Sequence, residues 1–242
     1  MTLYDRVIYR LARILEQRLG ATALAQRVGD GVFERTHRMR QPLLPHVSIG
    51  RHTYGVESDT VVHPTPAAPC RIGSFCCVAE GVRIFCQADH RLDLPSMYPF
   101  RSLLTRRYQR CDPSNHNHDA FSKGGVEIGH DVWLGFRAVV LSGSTVGTGA
   151  VIGAGSVVAG HIPSYAVVVG NPGRIIRKRF PDPLVERLLA SRWWDLPDDG
   201  IRSLDRELYS GDLEQFLAQV AAAWERCAQA PGPQLGSSRL AQ

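Results

Sequence analysis

The sequence predicts a mainly-β solenoid, a triangular coil of short parallel strands with an excursion loop and helical ends, and three observations predict it. Ile128, Leu134, Val140, Val146, Ile152 and Val158 stand six residues apart without a slip. Two further columns keep the same period: Gly129, Gly135, Leu141, Gly147, Gly153 and Ala159 directly after those residues, and Val132, Ala138, Ser144, Ala150 and Ser156 four positions after them. The period is already present in Ile72, Val78 and Ile84, with Cys76, Val82 and Ala88 four positions on; it breaks off at His90 and resumes near Val126.

A period of six matches neither the 3.6 of a helix nor the alternation of an ordinary strand. It suits a strand-and-corner unit, three of which complete one coil. The branched aliphatic fills the interior, the small residue fits a tight inner position and the glycine permits the corner backbone. Coils then stack by parallel strand pairing, about 4.8 Å apart. A dinucleotide-binding turn competes for the glycine-rich run Gly147-Thr-Gly-Ala-Val-Ile-Gly-Ala-Gly. That run lacks the GxGxxG spacing and the long helix that should follow, and its glycines fall into two hexad columns.

The composition agrees with an ordinary globular chain. Of 242 residues, 44% are hydrophobic and 21% charged, so a disordered chain is excluded. No window of about 18 consecutive apolar residues occurs, and charges sit where a secretory signal would have its apolar run, which predicts a cytoplasmic protein. The net charge of +5 suits an anionic ligand and is too small to point to nucleic acid. Cysteines 70, 76, 77, 86, 111 and 227 form no CxxC pair and no zinc-finger spacing, so reduced, packing thiols are expected.

Three segments follow in order. Residues 1–45 are expected to form an N-terminal helical extension: Leu3, Val7, Leu11, Ile14 and Leu15 recur at helical spacing among Arg6, Arg10, Arg13 and Arg18. Such a helix docks on its own protein with a solvated basic face, or makes peripheral contact with a membrane. Residues 46–180 carry the coil and are interrupted by the loop 91–125, which is polar, contains Pro95, Pro99 and Pro113, and is long enough to be functional. Residues 181–242 are expected to form short helices and a tail. Leu184, Val185, Leu188 and Leu189 lead to Trp193-Trp194, and Asp212 is placed to cap a helix through Phe216, Val220 and Trp224.

The stretches Ile128-Gly-His-Asp-Val-Trp-Leu-Gly, Val151-Ile-Gly-Ala-Gly-Ser-Val-Val and Ile162-Pro-Ser-Tyr-Ala-Val-Val-Val-Gly-Asn-Pro-Gly resemble the hexapeptide-repeat acyltransferases. Asp89-His90-Arg-Leu-Asp93, then Ser96-Met-Tyr98-Pro99-Phe100, is similar to their xenobiotic O-acetyltransferase subgroup, which includes chloramphenicol and streptogramin acetyltransferases and relatives that acetylate bacterial glycans. Gly50-Arg-His-Thr-Tyr54-Gly, Ser122-Lys-Gly124, Arg177-Lys-Arg-Phe180 and Trp193-Trp194-Asp195 fit the same pattern, so the resemblance spans roughly residues 47–197. It implies a left-handed parallel β-helix, a homotrimer with active sites between neighbouring coils, and acetyl-CoA as co-substrate with no metal. Three positions depart from the pattern: Asp89 stands where Asn is usual, Leu94 where an aromatic is common and Ser142 where Pro is common.

By that resemblance His90 is the general base. Histidine has an ordinary pKa of about 6.5, suited to taking a hydroxyl proton at neutral pH. Asp93, or Asp89, is expected to orient the imidazole as the carboxylate of a triad does. Cys86 and Ser96 are the candidate nucleophiles of a covalent route, with direct transfer preferred. The resemblance places Trp133, Gly135, Ala154, Ala159, Pro172, Arg177 and Lys178 at the coenzyme, the two cations facing its phosphates. It places Tyr54, Tyr98 and Phe100 at the acceptor. The expected reaction is acetyl transfer to a hydroxyl of a sugar, a glycan or its precursor. The alternative acceptor is an antibiotic; a γ-carbonic-anhydrase-like metal site at His116 and His118, or an inactive repeat scaffold, are the remaining readings.

Overall fold

The computed structural model describes residues 45–100 and 120–229. The expected N-terminal helix, with its membrane contact, and His116 and His118 lie outside the described residues. The chain divides into two units between Arg177 and Lys178.

The first unit is a three-faced coil. One face is built from the parallel strands Val47–Ile49, Cys70–Ile72, Val126–Ile128, Thr145–Val146 and His161–Ile162. A second holds Val61–Val62, Arg83–Phe85, Val139–Val140 and Val157–Val158. The third holds Cys77–Val78, Trp133–Leu134, Val151–Ile152 and Ala166–Val169, and ends on the edge strand Arg174–Lys178. Glu127 pairs with Thr145, Trp133 with Val151 and Val139 with Val157, so three hexads make one turn. The register survives the excursion, because Cys77 pairs with Trp133 across it.

The two inner columns are the core. Ile128, Leu134, Val140, Val146, Ile152 and Val158 are buried, and so are Val132, Ala138, Ser144, Ala150 and Ser156. Burying each aliphatic is worth about 1.5–3 kcal/mol, which makes this stripe the main source of the unit's stability. Small residues alternate with the branched ones because a coil of three short strands leaves little room at its axis. The two serines there are satisfied: the Ser144 hydroxyl donates to the Leu141 carbonyl at 2.6 Å, and the Ser156 oxygen accepts the Gly170 amide at 3.0 Å. Ala88, expected on the same inner column, is only partly buried where the pattern ends.

The glycine columns do two different jobs, which the sequence alone merges into one. Gly135 has an ordinary backbone, yet a Cβ there would stand 2.7 Å from the Ala154 nitrogen and 2.8 Å from the Ile152 oxygen of the next coil. Gly149 instead adopts the left-handed region at φ +72°, and a Cβ would meet the Tyr165 ring at 2.5 Å. The first glycine is needed for stacking, the second for the corner.

The second unit is helical: α1 spans Asp182–Ser191, Trp193–Asp195 forms a 3-10 turn, and α2 Asp198–Arg202, α3 Asp205–Ser210 and α4 Leu213–Gln229 follow. Val185, Leu188, Trp193, Trp194, Phe216 and Val220 are buried in it. The Asp212 carboxylate accepts the Gln215 amide at 2.9 Å, the N-cap expected for α4. The Trp224 indole donates to the Ser191 carbonyl at 2.9 Å.

Candidate active site

His90 stands where the coil opens. Asp89–His90 forms a short antiparallel ladder with Ala120–Phe121, Asp89 opposite Phe121 and His90 opposite Ala120, so both ends of the excursion are held together at His90. The imidazole is exposed, and its Nδ1 lies 2.8 Å from the Met97 carbonyl oxygen. A carbonyl only accepts, so Nδ1 carries the proton and Nε2 presents its lone pair. That tautomer is the one a general base requires.

The carboxylate expected at the imidazole stands elsewhere: Nδ1 meets the Met97 carbonyl and Asp93 is bonded to Arg91. Asp93 is exposed and turned to Arg91, whose Nε donates to it at 3.0 Å and whose terminal nitrogen donates to its other oxygen. The Arg91 hydrogen bond holds the Asp93 carboxyl below its ordinary range. Asp89 is turned elsewhere too, accepting a hydrogen bond from the Ser142 hydroxyl at 2.7 Å. Successive side chains of a strand point to opposite sides, so Asp89 and His90 cannot share one partner. The orienting group is a backbone carbonyl seven residues downstream, which no side-chain pattern announces.

The nucleophile candidates are also placed. Cys86 is fully buried and hydrogen-bonded to the buried Cys70 thiol, while its carbonyl accepts from the Ser122 hydroxyl. The Ser96 oxygen accepts the Tyr98 amide at 3.1 Å. Among the described residues, neither side chain is paired with a base.

Tyr54, Cys77, Trp133 and Val151 occupy one row across the third face. Trp133 is 54% exposed and points outward, which removes a core role for it; Tyr54 is 44% exposed. Hydrogen bonding with the Cys77 thiol, then partial burial, hold the Tyr54 phenol protonated above its ordinary range. Cys77 is the member of this row that the hexad spacing failed to single out, although it precedes the inward Val78 as Trp133 precedes Leu134. Tyr98 and Phe100 meet edge to face at 5.0 Å and are both exposed, an aromatic corner on the loop that carries the His90 partner.

Of the coenzyme candidates, Gly135 and Ala154 are neighbours across the coil stack, and Ala154 and Ala159 are exposed. Pro172 is exposed and follows a cis Asn171–Pro172 bond. Arg177 is exposed; the Lys178 ammonium pairs with the Asp182 carboxylate, so its charge is already partly neutralised. On the first face, a polar trough of about 430 Å³ is lined by Arg71, His130, Thr145, Thr148, His161 and Ser164, among others; His90 is not one of its lining residues.

Comparison with known proteins shows the family. The family model "Bacterial transferase hexapeptide (six repeats)" matches residues 125–160. A chloramphenicol acetyltransferase of Morganella morganii is 32% identical over 199 residues, covering 76% of this chain and 92% of that one. A probable macrolide acetyltransferase of Lysinibacillus sphaericus is 37% identical over 125 residues, covering 51% and 68%. Among solved structures, a maltose O-acetyltransferase from Clostridium difficile 630 aligns over 74% of this chain and 86% of its own at 20% identity, with a TM-score of 0.35. The chain belongs to the hexapeptide-repeat acetyltransferases, in the xenobiotic O-acetyltransferase subgroup that includes the chloramphenicol enzymes. It is therefore an acetyltransferase. Among the described residues, no helix is long and apolar enough to cross a membrane.

Proposed function

We propose that this enzyme transfers the acetyl group of acetyl-CoA to a hydroxyl of an antibiotic-like small molecule, with His90 as general base. The observation that carries the reading is the imidazole held by the Met97 carbonyl with Nε2 turned away from it. Nε2 takes the proton of the acceptor hydroxyl as its oxygen attacks the thioester carbonyl. Collapse of the tetrahedral intermediate breaks the carbon–sulfur bond, and the imidazolium returns the proton to the departing thiolate. Transfer is direct, a reading supported by the burial of Cys86 and by Ser96 having, among the described residues, no base beside it.

The names of the relatives support an antibiotic hydroxyl over the glycan expected from the sequence, because the chloramphenicol and macrolide enzymes are the ones matched at 32% and 37% identity. The coil is read as left-handed and the protein as a homotrimer. Tyr54, Tyr98 and Phe100 then line the acceptor, and Trp133 forms a wall of the pocket. Gly135, Ala154 and Ala159 leave a flat edge for the pantetheine arm, with Pro172 and Arg177 toward the phosphates; Lys178 contributes less because Asp182 already holds it.

A thiol-release assay with acetyl-CoA tests this directly. Chloramphenicol and a macrolide are compared with maltose and a polysaccharide as acceptors. Release driven by an antibiotic hydroxyl supports the reading; release driven only by the sugars contradicts it.

A further inference from the structure

We propose that Asp89 and Ser142 act together as positioning residues that set where the His90 imidazole stands. The inference rests on His90 being the base and adds residues to that reading. Ser142 is 4% exposed, and its hydroxyl donates to the Asp89 carboxylate at 2.7 Å. The same oxygen faces the Lys123 amide at 3.4 Å, and the next residue, Gly143, donates its amide to the Gly124 carbonyl at 2.9 Å. A hydroxyl has one proton to give and two lone pairs to receive, so one oxygen serves both partners.

These bonds fasten both rims of the excursion to one point of the coil. Asp89 is the last residue before the base on the outgoing strand, and Lys123 follows the returning strand paired to it. Asp89 and His90 face opposite sides of their short strand. Fixing the Asp89 side chain inward on the coil therefore fixes the imidazole outward, toward the acceptor. The carboxylate acts through the backbone it anchors and not on the imidazole itself. A charged acceptor makes this the stronger kind of hydrogen bond, and its loss leaves a buried hydroxyl without its acceptor.

The test is a double-mutant cycle on the full chain with S142A, D89A, the pair D89A/S142A, and D89N, which keeps an accepting oxygen. Misplacing a base by a fraction of an ångström to 1 Å costs up to about 100-fold in rate, so each single alanine variant is expected to lower kcat by about 10-fold or more with KM for acetyl-CoA unchanged. The pair is expected to be no worse than either single change, and D89N to recover most of the rate. Amide hydrogen exchange of residues 120–125, read by mass spectrometry, is expected to quicken in S142A and D89A and not in D89N. Additive losses, or wild-type kcat with unchanged exchange, would overturn the proposal. If the wild-type protein transfers no acetyl group, the function proposed above fails, while the exchange measurement still reads the Asp89–Ser142 clasp.

Discussion

The Nδ1 atom of His90 lies 2.8 Å from the carbonyl oxygen of Met97, and this pair replaces the carboxylate–imidazole pair that the sequence led one to expect. The substitution of a dipole for a charge has a consequence. A neighbouring carboxylate stabilises the imidazolium that forms during proton transfer, whereas a carbonyl chiefly fixes tautomer and orientation. Orientation then depends on the backbone course from His90 to Met97 and on the anchoring of that segment to the coil.

One prediction concerns Asp93. Its carboxylate is engaged by Arg91 at the surface, so D93N should leave kcat within about 3-fold of the wild type, whereas loss of a true triad carboxylate costs about 10⁴-fold. Steady-state kinetics on the purified variant decide it. A loss of several hundred-fold would restore the carboxylate to the mechanism.

The glycines offer a second. G135A would drive a methyl group to 2.7–2.9 Å from the backbone of the neighbouring coil, a position where neither partner can move aside. G155A meets open space and carries only the strain of its φ of +67°, roughly 1–2 kcal/mol. Thermal unfolding should therefore rank G135A well below G155A. Equal melting temperatures would mean that coil stacking does not depend on that approach.

Thiol chemistry gives a third. Burial in the coil pushes the Cys76 thiol up to about 11, and Cys76 is fully buried, so at pH 8 it is protonated and inert. Iodoacetamide labelling of the native protein at pH 8, mapped by mass spectrometry, should leave Cys76 unmodified until the protein unfolds. Rapid labelling there would show that the coil opens locally.

The helical unit gives a fourth. The Asp212 cap on the Gln215 amide predicts that D212A destabilises that unit by about 1 kcal/mol, seen as a lower denaturation midpoint. No change would mean that the helix is held by Phe216 and Val220 alone.

Much of the fold could be read in advance because its cause is local. The six-residue columns report an interior that every coil must fill in the same way, and Asp212 caps the helix that begins at the next residue. His90 was legible as the point where that repetition stops. Its partner was not, because a Met97 carbonyl is present in any residue type and leaves no mark on the sequence. Asp89 was legible as a departure from the family pattern and as an alternative carboxylate for the imidazole, Ser142 only as a departure, and nothing linked the two. Their contact joins positions fifty-three residues apart, and only the completed coil brings them together. Gly135 and Gly149 looked alike because glycine is selected both for a missing side chain and for a left-handed backbone.

The proton transfer itself is read most directly by comparing His90→Ala with the wild type in acetyl-CoA-dependent thiol release, with a hydroxyl acceptor at saturation. Removal of the base should lower kcat by about 10²–10⁴-fold while KM for acetyl-CoA stays within a few-fold. Turnover by the alanine variant at the wild-type rate would contradict a role for this imidazole in the chemistry.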